Sequence, residues 1–178
     1  MGGKEERNRA FTRHLRRVPM EPVAFADESV GLDGLIDDDS IEQLKSFCRG
    51  EMSAVETYRQ AIAAARQGWV AHHLRLNLAS HEARVKVLRR RIEELGGDPP
   101  ASSGPWGAFA KAVEGTALAL GHKTALSALA EGEEHGLKDY RNDIEELDTE
   151  SHALVRDVIL PQQVSTRRSL ADLKRQLP

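Results

Sequence analysis

From Ser40 onward the apolar residues recur every three or four positions, the period of one helical face. Ile41, Leu44, Cys48, Val55, Tyr58 and Ile62 share a stripe that predicts a helix over 41–66, opened by a capping box at Ser40 and Gln43 and closed near Gly68. The stripe Leu74, Leu78, Val85, Leu88, Ile92 and Leu95 predicts a second helix over 69–95. Gly96-Gly97 followed by Asp98-Pro99-Pro100 reads as its left-handed cap and a proline stop. Ser103-Gly104-Pro105 starts a shorter, less polar helix over 104–120 with Trp106, Phe109, Val113 and Leu120 as its apolar residues, and Gly121 breaks it. A third long helix is predicted over 122–147. Thr149 caps a fourth that runs to the C-terminus, kinked near Asp157 to Leu160 because Pro161 removes a backbone hydrogen bond. No segment shows the period-two alternation of a strand. The reading is all-α: an antiparallel four-helix bundle over 40–178, built of helices about 25 residues long.

Residues 1–39 follow a different pattern and are read as a loosely held arm. Lys4 to Arg17 holds six Lys or Arg against two Glu, whereas Glu21 to Asp39 holds seven acids and no Lys or Arg. Phe11, Leu15 and Val18 place a short basic amphipathic helix over 7–18, stopped before Pro19.

The chain also repeats itself. Residues 49–62 align without a gap on 131–144, with Gly50/Gly132, Glu51/Glu133, Tyr58/Tyr140, Arg59/Arg141 and Ile62/Ile144 identical at an offset of 82. The same offset pairs Leu44 with Leu126, Leu78 with Leu160, Leu88 with Leu170 and Leu95 with Leu177. Recurrence of one offset in both helices of each half points to two duplicated hairpins, with 104–120 as the crossover between them.

Polar residues interrupt the stripes at related places. Glu51 stands where an aliphatic residue belongs, and so does Glu133; His81 breaks the stripe of the second helix, and the offset places Gln163 on the fourth. An ionised carboxylate in a helical core costs several kcal/mol unless it is paired, metal-bound or protonated. One polar residue from each of four helices predicts a shared buried cluster.

The Gly-Glu-(x)6-Tyr-Arg signature, at Gly50-Glu51 to Tyr58-Arg59 and again at Gly132-Glu133 to Tyr140-Arg141, resembles a bacterial family of unassigned function within the ferritin-like superfamily, over about residues 40 to 177. That resemblance implies a di-iron centre taking one Glu from each of two helices and a Glu-x-x-His pair from each of the other two. The chain departs from it at the ligands. The second-helix pair reads His81 and Arg84, and the fourth-helix pair Gln163 and Thr166; only Glu51 and Glu133 keep the ligand type.

A guanidinium cannot ligate a cation and stays charged, so Arg84 would supply the charge that a metal supplies elsewhere. The reading adopted is a metal-free polar cluster of Glu51, His81, Arg84, Glu133 and Gln163, with Tyr58 and Tyr140 one or two turns away. It makes the chain a non-catalytic ferritin-like structural or interaction module with no cofactor and no catalytic residue. The competing reading keeps Glu51, His81 and Glu133 as ligands to one iron or manganese ion, for an oxidoreductase that reduces oxygen or peroxide or oxidises ferrous ion. A third reading is a stress-associated protein touching nucleic acid.

Composition narrows these. With 25 Lys+Arg against 28 Asp+Glu, the net charge of −3 gives no global attraction to nucleic acid. The rows Arg89-Arg90-Arg91 and Arg167-Arg168 lie beside Glu93, Glu94 and Asp172 without interleaved aromatics, and read as a solvated face. The single Cys48 excludes a disulfide framework and reads as a small buried hydrophobe. No apolar run suits a membrane span and the start lacks the apolar core of a secretory signal, so a soluble cytoplasmic protein is expected. Glu131 with His135 at i+4 reads as a solvated acidic face. Trp69 and Trp106, near helix ends, read as core or as part of a self-association face.

Overall fold

A computed structural model describes residues 29–104 and 122–177, and the side chains of 38–104 and 125–177. The crossover helix expected over 104–120 and the amphipathic helix expected over 7–18 lie outside the described residues. The chain divides into two units, Met1–Val30 and Gly31–Pro178. Apart from the first two residues of the first helix, everything discussed below lies in the second.

Every regular element among the described residues is helical. They are α1 (Ser29–Ala64), α2 (Gly68–Glu94), α3 (His122–Asn142), a 3-10 turn (Ile144–Glu146), α4 (Thr149–Leu154), a π-helical turn (Val155–Ile159) and α5 (Leu160–Gln176). None of these helices is long and apolar enough to cross a membrane.

The start of α1 departs from expectation. The helix passes straight through Ser40, so the capping box there is not formed. Ser40 is fully buried, and its hydroxyl donates to Asp148 Oδ2 at 2.7 Å and accepts from the Asp148 N–H at 2.9 Å. A hydroxyl committed across the fold cannot cap its own chain. Asp148, not Thr149, is the N-cap of α4, accepting from the N–H groups of Glu150 and Ser151. The third helix also stops early, at Asn142, and Ile144–Glu146 tightens into the 3-10 turn.

The close of α2 follows its glycines. Gly96 has φ +80°, the Gly97 N–H donates to Ile92 O and the Gly96 N–H to Glu93 O, which together form a Schellman cap. A Cβ at Gly97 would lie 2.7 Å from Ile41, so only glycine fits where the turn meets α1.

Between α4 and α5 the helix continues through Pro161, with a π-helical turn in place of a sharp break. The Leu160 N–H donates to Val155 O, five residues back. The buried residues Ser151, Val155, Ile159 and Gln163 are four apart, followed by Thr166, Leu170 and Leu173 at three and four. Three successive steps of four would drift off one face of an α-helix, and the wider turn holds them on it.

Two apolar clusters bracket a polar band. One gathers Leu44, Phe47, Cys48, Leu88, Ile92, Ile144, Val155 and Ile159. The other gathers Ala61, Val70, Leu74, Leu126, Leu129, Leu170 and Leu173. Each large aliphatic side chain so buried contributes roughly 1.5–3 kcal/mol, which is the reserve against which the charges between them are held.

Candidate functional site

Glu51 on α1, His81 and Arg84 on α2, Glu133 on α3, and Gln163 and Thr166 on α5 are all buried, and Arg84 is wholly removed from solvent. Their side chains form one hydrogen-bonded network, together with Tyr58 and Tyr140.

The two carboxylates are served in parallel. Tyr58 donates to Glu133 Oε1 at 2.5 Å, and its repeat mate Tyr140 donates to Glu51 Oε1 at 2.7 Å. His81 Nδ1 lies 2.8 Å from Glu51 Oε2, and its repeat mate Gln163 donates from Nε2 to Glu133 Oε2 at 2.9 Å. Arg84 Nε sits 2.9 Å from Glu51 Oε1, and its repeat mate Thr166 donates to Glu133 Oε2 at 2.9 Å. The Arg84 Nε–H is not aimed along that line, so this contact is Coulombic rather than an aligned hydrogen bond. Each tyrosine thus reaches the glutamate of the opposite repeat, and each of α2 and α5 serves the glutamate of its own.

Two contacts break this symmetry and join the halves. His81 Nε2 lies 3.1 Å from Glu133 Oε1, and Arg84 Nη2 donates to Gln163 Oε1 at 2.9 Å. Each ring nitrogen faces a carboxylate, which favours the doubly donating, protonated form of the imidazole. Two carboxylates, one imidazolium and one guanidinium then sum to zero. Arg84 Nη2 lies 2.6 Å from His81 Nδ1, both groups being drawn to Glu51.

The electrostatics follow from these neighbours. Burial opposes ionisation of Glu51, yet His81 and Arg84 outweigh it and hold its pKa down at about 2. Burial likewise opposes the charged form of His81, and Glu51 and Glu133 overcome it, raising its pKa above the ordinary 6.5. Burial, with Glu133 for Tyr58 and Glu51 for Tyr140, pushes both phenols well above 10 and keeps them as donors.

Two members are not singled out by the stripes. Asn77 donates to Tyr58 Oη at 3.2 Å and to the Thr166 carbonyl at 3.3 Å, and Ser80 accepts from Arg84 Nη1 at 3.0 Å. Each lies one turn before His81 or Arg84 on α2. The signal for Asn77 is a buried amide on an otherwise apolar stripe.

Glu51, His81 and Glu133 are the donors a metal would use. Both nitrogens of His81 face carboxylates, and each carboxylate oxygen already accepts from a protein group. Among the described residues no group of three or more His, Cys, Asp or Glu is arranged to hold a metal ion.

The model of a family described as Domain of unknown function (DUF2383) matches residues 39–146. The chain belongs to that family. The DUF2383 match covers both Gly-Glu-(x)6-Tyr-Arg segments and the α2 pair His81 and Arg84, and ends before Gln163 and Thr166. No curated protein and no solved structure matches the chain.

Beside the cluster, α1 and α3 enclose a cleft of about 400 Å³. Glu51, Tyr58, His81, Glu133, Tyr140 and Gln163 form its floor, Phe47, Gly50, Ala54, Leu129, Gly132 and Gly136 its walls, and Glu131, His135 and Asp139 are its other ionisable lining.

The remaining sequence candidates are not members of the hydrogen-bonded cluster. His135 pairs with Asp139 at 3.5 Å, while Glu131 is exposed. Cys48 is buried and its thiol is pushed up to about 11 by burial, which leaves it unreactive. Arg89 donates to the Pro100 carbonyl, Arg90 pairs with Glu94, Arg91 with Asp148 and Glu150, and Arg167 with Glu134. Trp69 is 39 % exposed at the start of α2, edge-on to His73, and Trp106 lies outside the described residues.

Proposed function

We propose that the chain is a ferritin-like four-helix bundle in which an ion-paired cluster stands where the superfamily's di-iron centre would lie, and that it acts as a non-catalytic binding or interaction module. The observation that carries this reading is Arg84: a guanidinium with no exposed surface, beside Glu51 and bonded to Gln163, at the position where the resemblance expects a histidine ligand. A resident iron would have to displace a permanent cation and strip Glu51, Glu133 and His81 of their present partners. The donor set does not fit it. The carboxylates, each oxygen already engaged by a protein group, and the reciprocal tyrosine bonds support a centre built to be stable rather than to exchange ligands.

Elemental analysis of protein expressed with iron and manganese supplied tests this. The expected result is far less than one metal ion per chain. Stoichiometric iron or manganese overturns the proposal, and so does ferrous-dependent oxygen consumption that Glu51→Ala abolishes.

A further inference from the structure

The cleft between α1 and α3 is held open by missing side chains. Gly50 lies within α1, has no positive φ, and a Cβ built on it meets nothing within 4 Å. Glycine inside a helix weakens it relative to alanine, and here neither backbone conformation nor close packing asks for it. What it leaves is room, directly above the buried polar floor.

The hydrogen-bonding inventory of that floor is one-sided. The Tyr58 and Tyr140 hydroxyl protons go to Glu133 and Glu51, and both ring nitrogens of His81 face the same two carboxylates. The Gln163 amide donates to the backbone carbonyl and to the carboxylate of Glu133. Every one of these donors is spent. Acceptors remain: among the described residues Tyr140 Oη donates to Glu51 and accepts from none, and Glu51 Oε2 accepts from His81 alone although a carboxylate oxygen takes two. The described lining also includes Glu131, Asp139 and the His135 that pairs with Asp139, and holds no Lys or Arg, while Phe47, Ala54 and Leu129 supply apolar wall. An anion entering this cleft would meet a surplus of acids and no Lys or Arg on the described lining.

We infer that the cleft is a binding site for a small organic ammonium ion, whose N–H groups would donate to Tyr140 Oη and Glu51 Oε2 while its aliphatic stem lies between Gly50, Ala54 and Leu129. This rests on the metal-free reading of the cluster, because a metal on Glu51 would take the same lone pair. The volume, about 400 Å³, is within the range of small-molecule sites.

The test is an amide-resolved NMR titration of the full chain with n-butylammonium, set against n-butyrate and n-butanol. Saturable shifts at the Gly50, Gly132 and Gly136 amides with butylammonium, and none with butyrate, are expected. Gly50→Leu should abolish them, and Ala54→Leu, one turn along, gives the same readout if the first variant does not fold. Tyr140→Phe, which removes the unfilled acceptor, should weaken binding on the order of tenfold. The inference is overturned by equal shifts with butyrate, by no saturable shift with the amine, or by unchanged affinity in a folded leucine variant. An amine that fails to bind metal-free protein leaves the ion-paired centre standing, whereas stoichiometric iron removes that centre whatever the amine does.

Discussion

Removing the Arg84 guanidinium would leave two buried carboxylates facing a single imidazolium, in a site with no water access on the Arg84 side. Breaking a buried ion pair from one side strands the other charge, a loss of about 3–5 kcal/mol. Arg84→Met is therefore expected to lower unfolding stability by that amount in urea titrations. Arg84→Lys should recover only part, since an ammonium cannot reach Glu51, Ser80 and Gln163 at once as the forked group does. The pH dependence has two limbs. His81 holds its proton more tightly folded than unfolded, so its contribution is complete below about 6.5 and is lost as pH rises through the raised folded value. Glu51 is the reverse: its contribution is complete above 4.5 and is lost as pH falls toward about 2, a drop that corresponds to about 3 kcal/mol, and Asp148, also depressed, adds to the same acid limb. Urea midpoints should thus be flat between these values and fall on either side. His81→Gln should erase the alkaline limb, and its persistence in that variant would assign it elsewhere. In sequence terms, Glu51, Glu133 and His81 are legible as breaks in apolar stripes, and Gln163 through the repeat offset from His81. The Tyr58 and Tyr140 bonds are not, because helical spacing tells which face a side chain occupies and not which residue meets it from another helix.

The helical elements themselves are read most securely where a local signal acts locally. Gly96-Gly97 closes α2 through its own backbone bonds, and the stop is plain in the sequence. Ser40 misleads for the opposite reason: its residue type suggests a cap, and its partner Asp148 lies 108 residues away. The π-helical turn is intermediate. Its cause is legible in the four-residue steps between Ser151, Val155, Ile159 and Gln163, while proline alone suggests only a kink. Deleting Val158, an exposed residue within the turn, converts that spacing to the alternating four and three of a regular helix. If the turn exists to keep those residues on one face, the deletion combined with Pro161→Ala should fold cooperatively with an ordinary helix there. The deletion alone places Pro161 in an α-helical interior and should be less stable than the combined variant by about 3 kcal/mol. Equal stability of the two, by thermal or urea unfolding followed by circular dichroism, would show that the turn is held by something other than the proline and the stripe.

Across the whole molecule, the offset of 82 that aligns the sequence also aligns the bonding pattern: Tyr58 to Glu133 as Tyr140 to Glu51, His81 to Glu51 as Gln163 to Glu133, Arg84 to Glu51 as Thr166 to Glu133. Charge does not follow that symmetry. Both cations come from α2, while α5 gives two neutral donors, so the first hairpin neutralises the carboxylate of the second through His81. Copying the α5 pair onto α2, as His81→Gln with Arg84→Thr, keeps every position polar and removes both positive charges. Two carboxylates would then share a buried site with neutral donors only, and desolvation with mutual repulsion would raise the folded-state pKa of at least one of them above its unfolded value. A group whose folded pKa is raised binds its proton preferentially in the native state, so this variant should gain stability as pH falls from neutrality toward 5, while the parent stays flat below 6.5. Urea midpoints at several pH values decide it: a variant whose profile parallels the parent would mean that the α2 cations are not what holds Glu51 and Glu133 ionised.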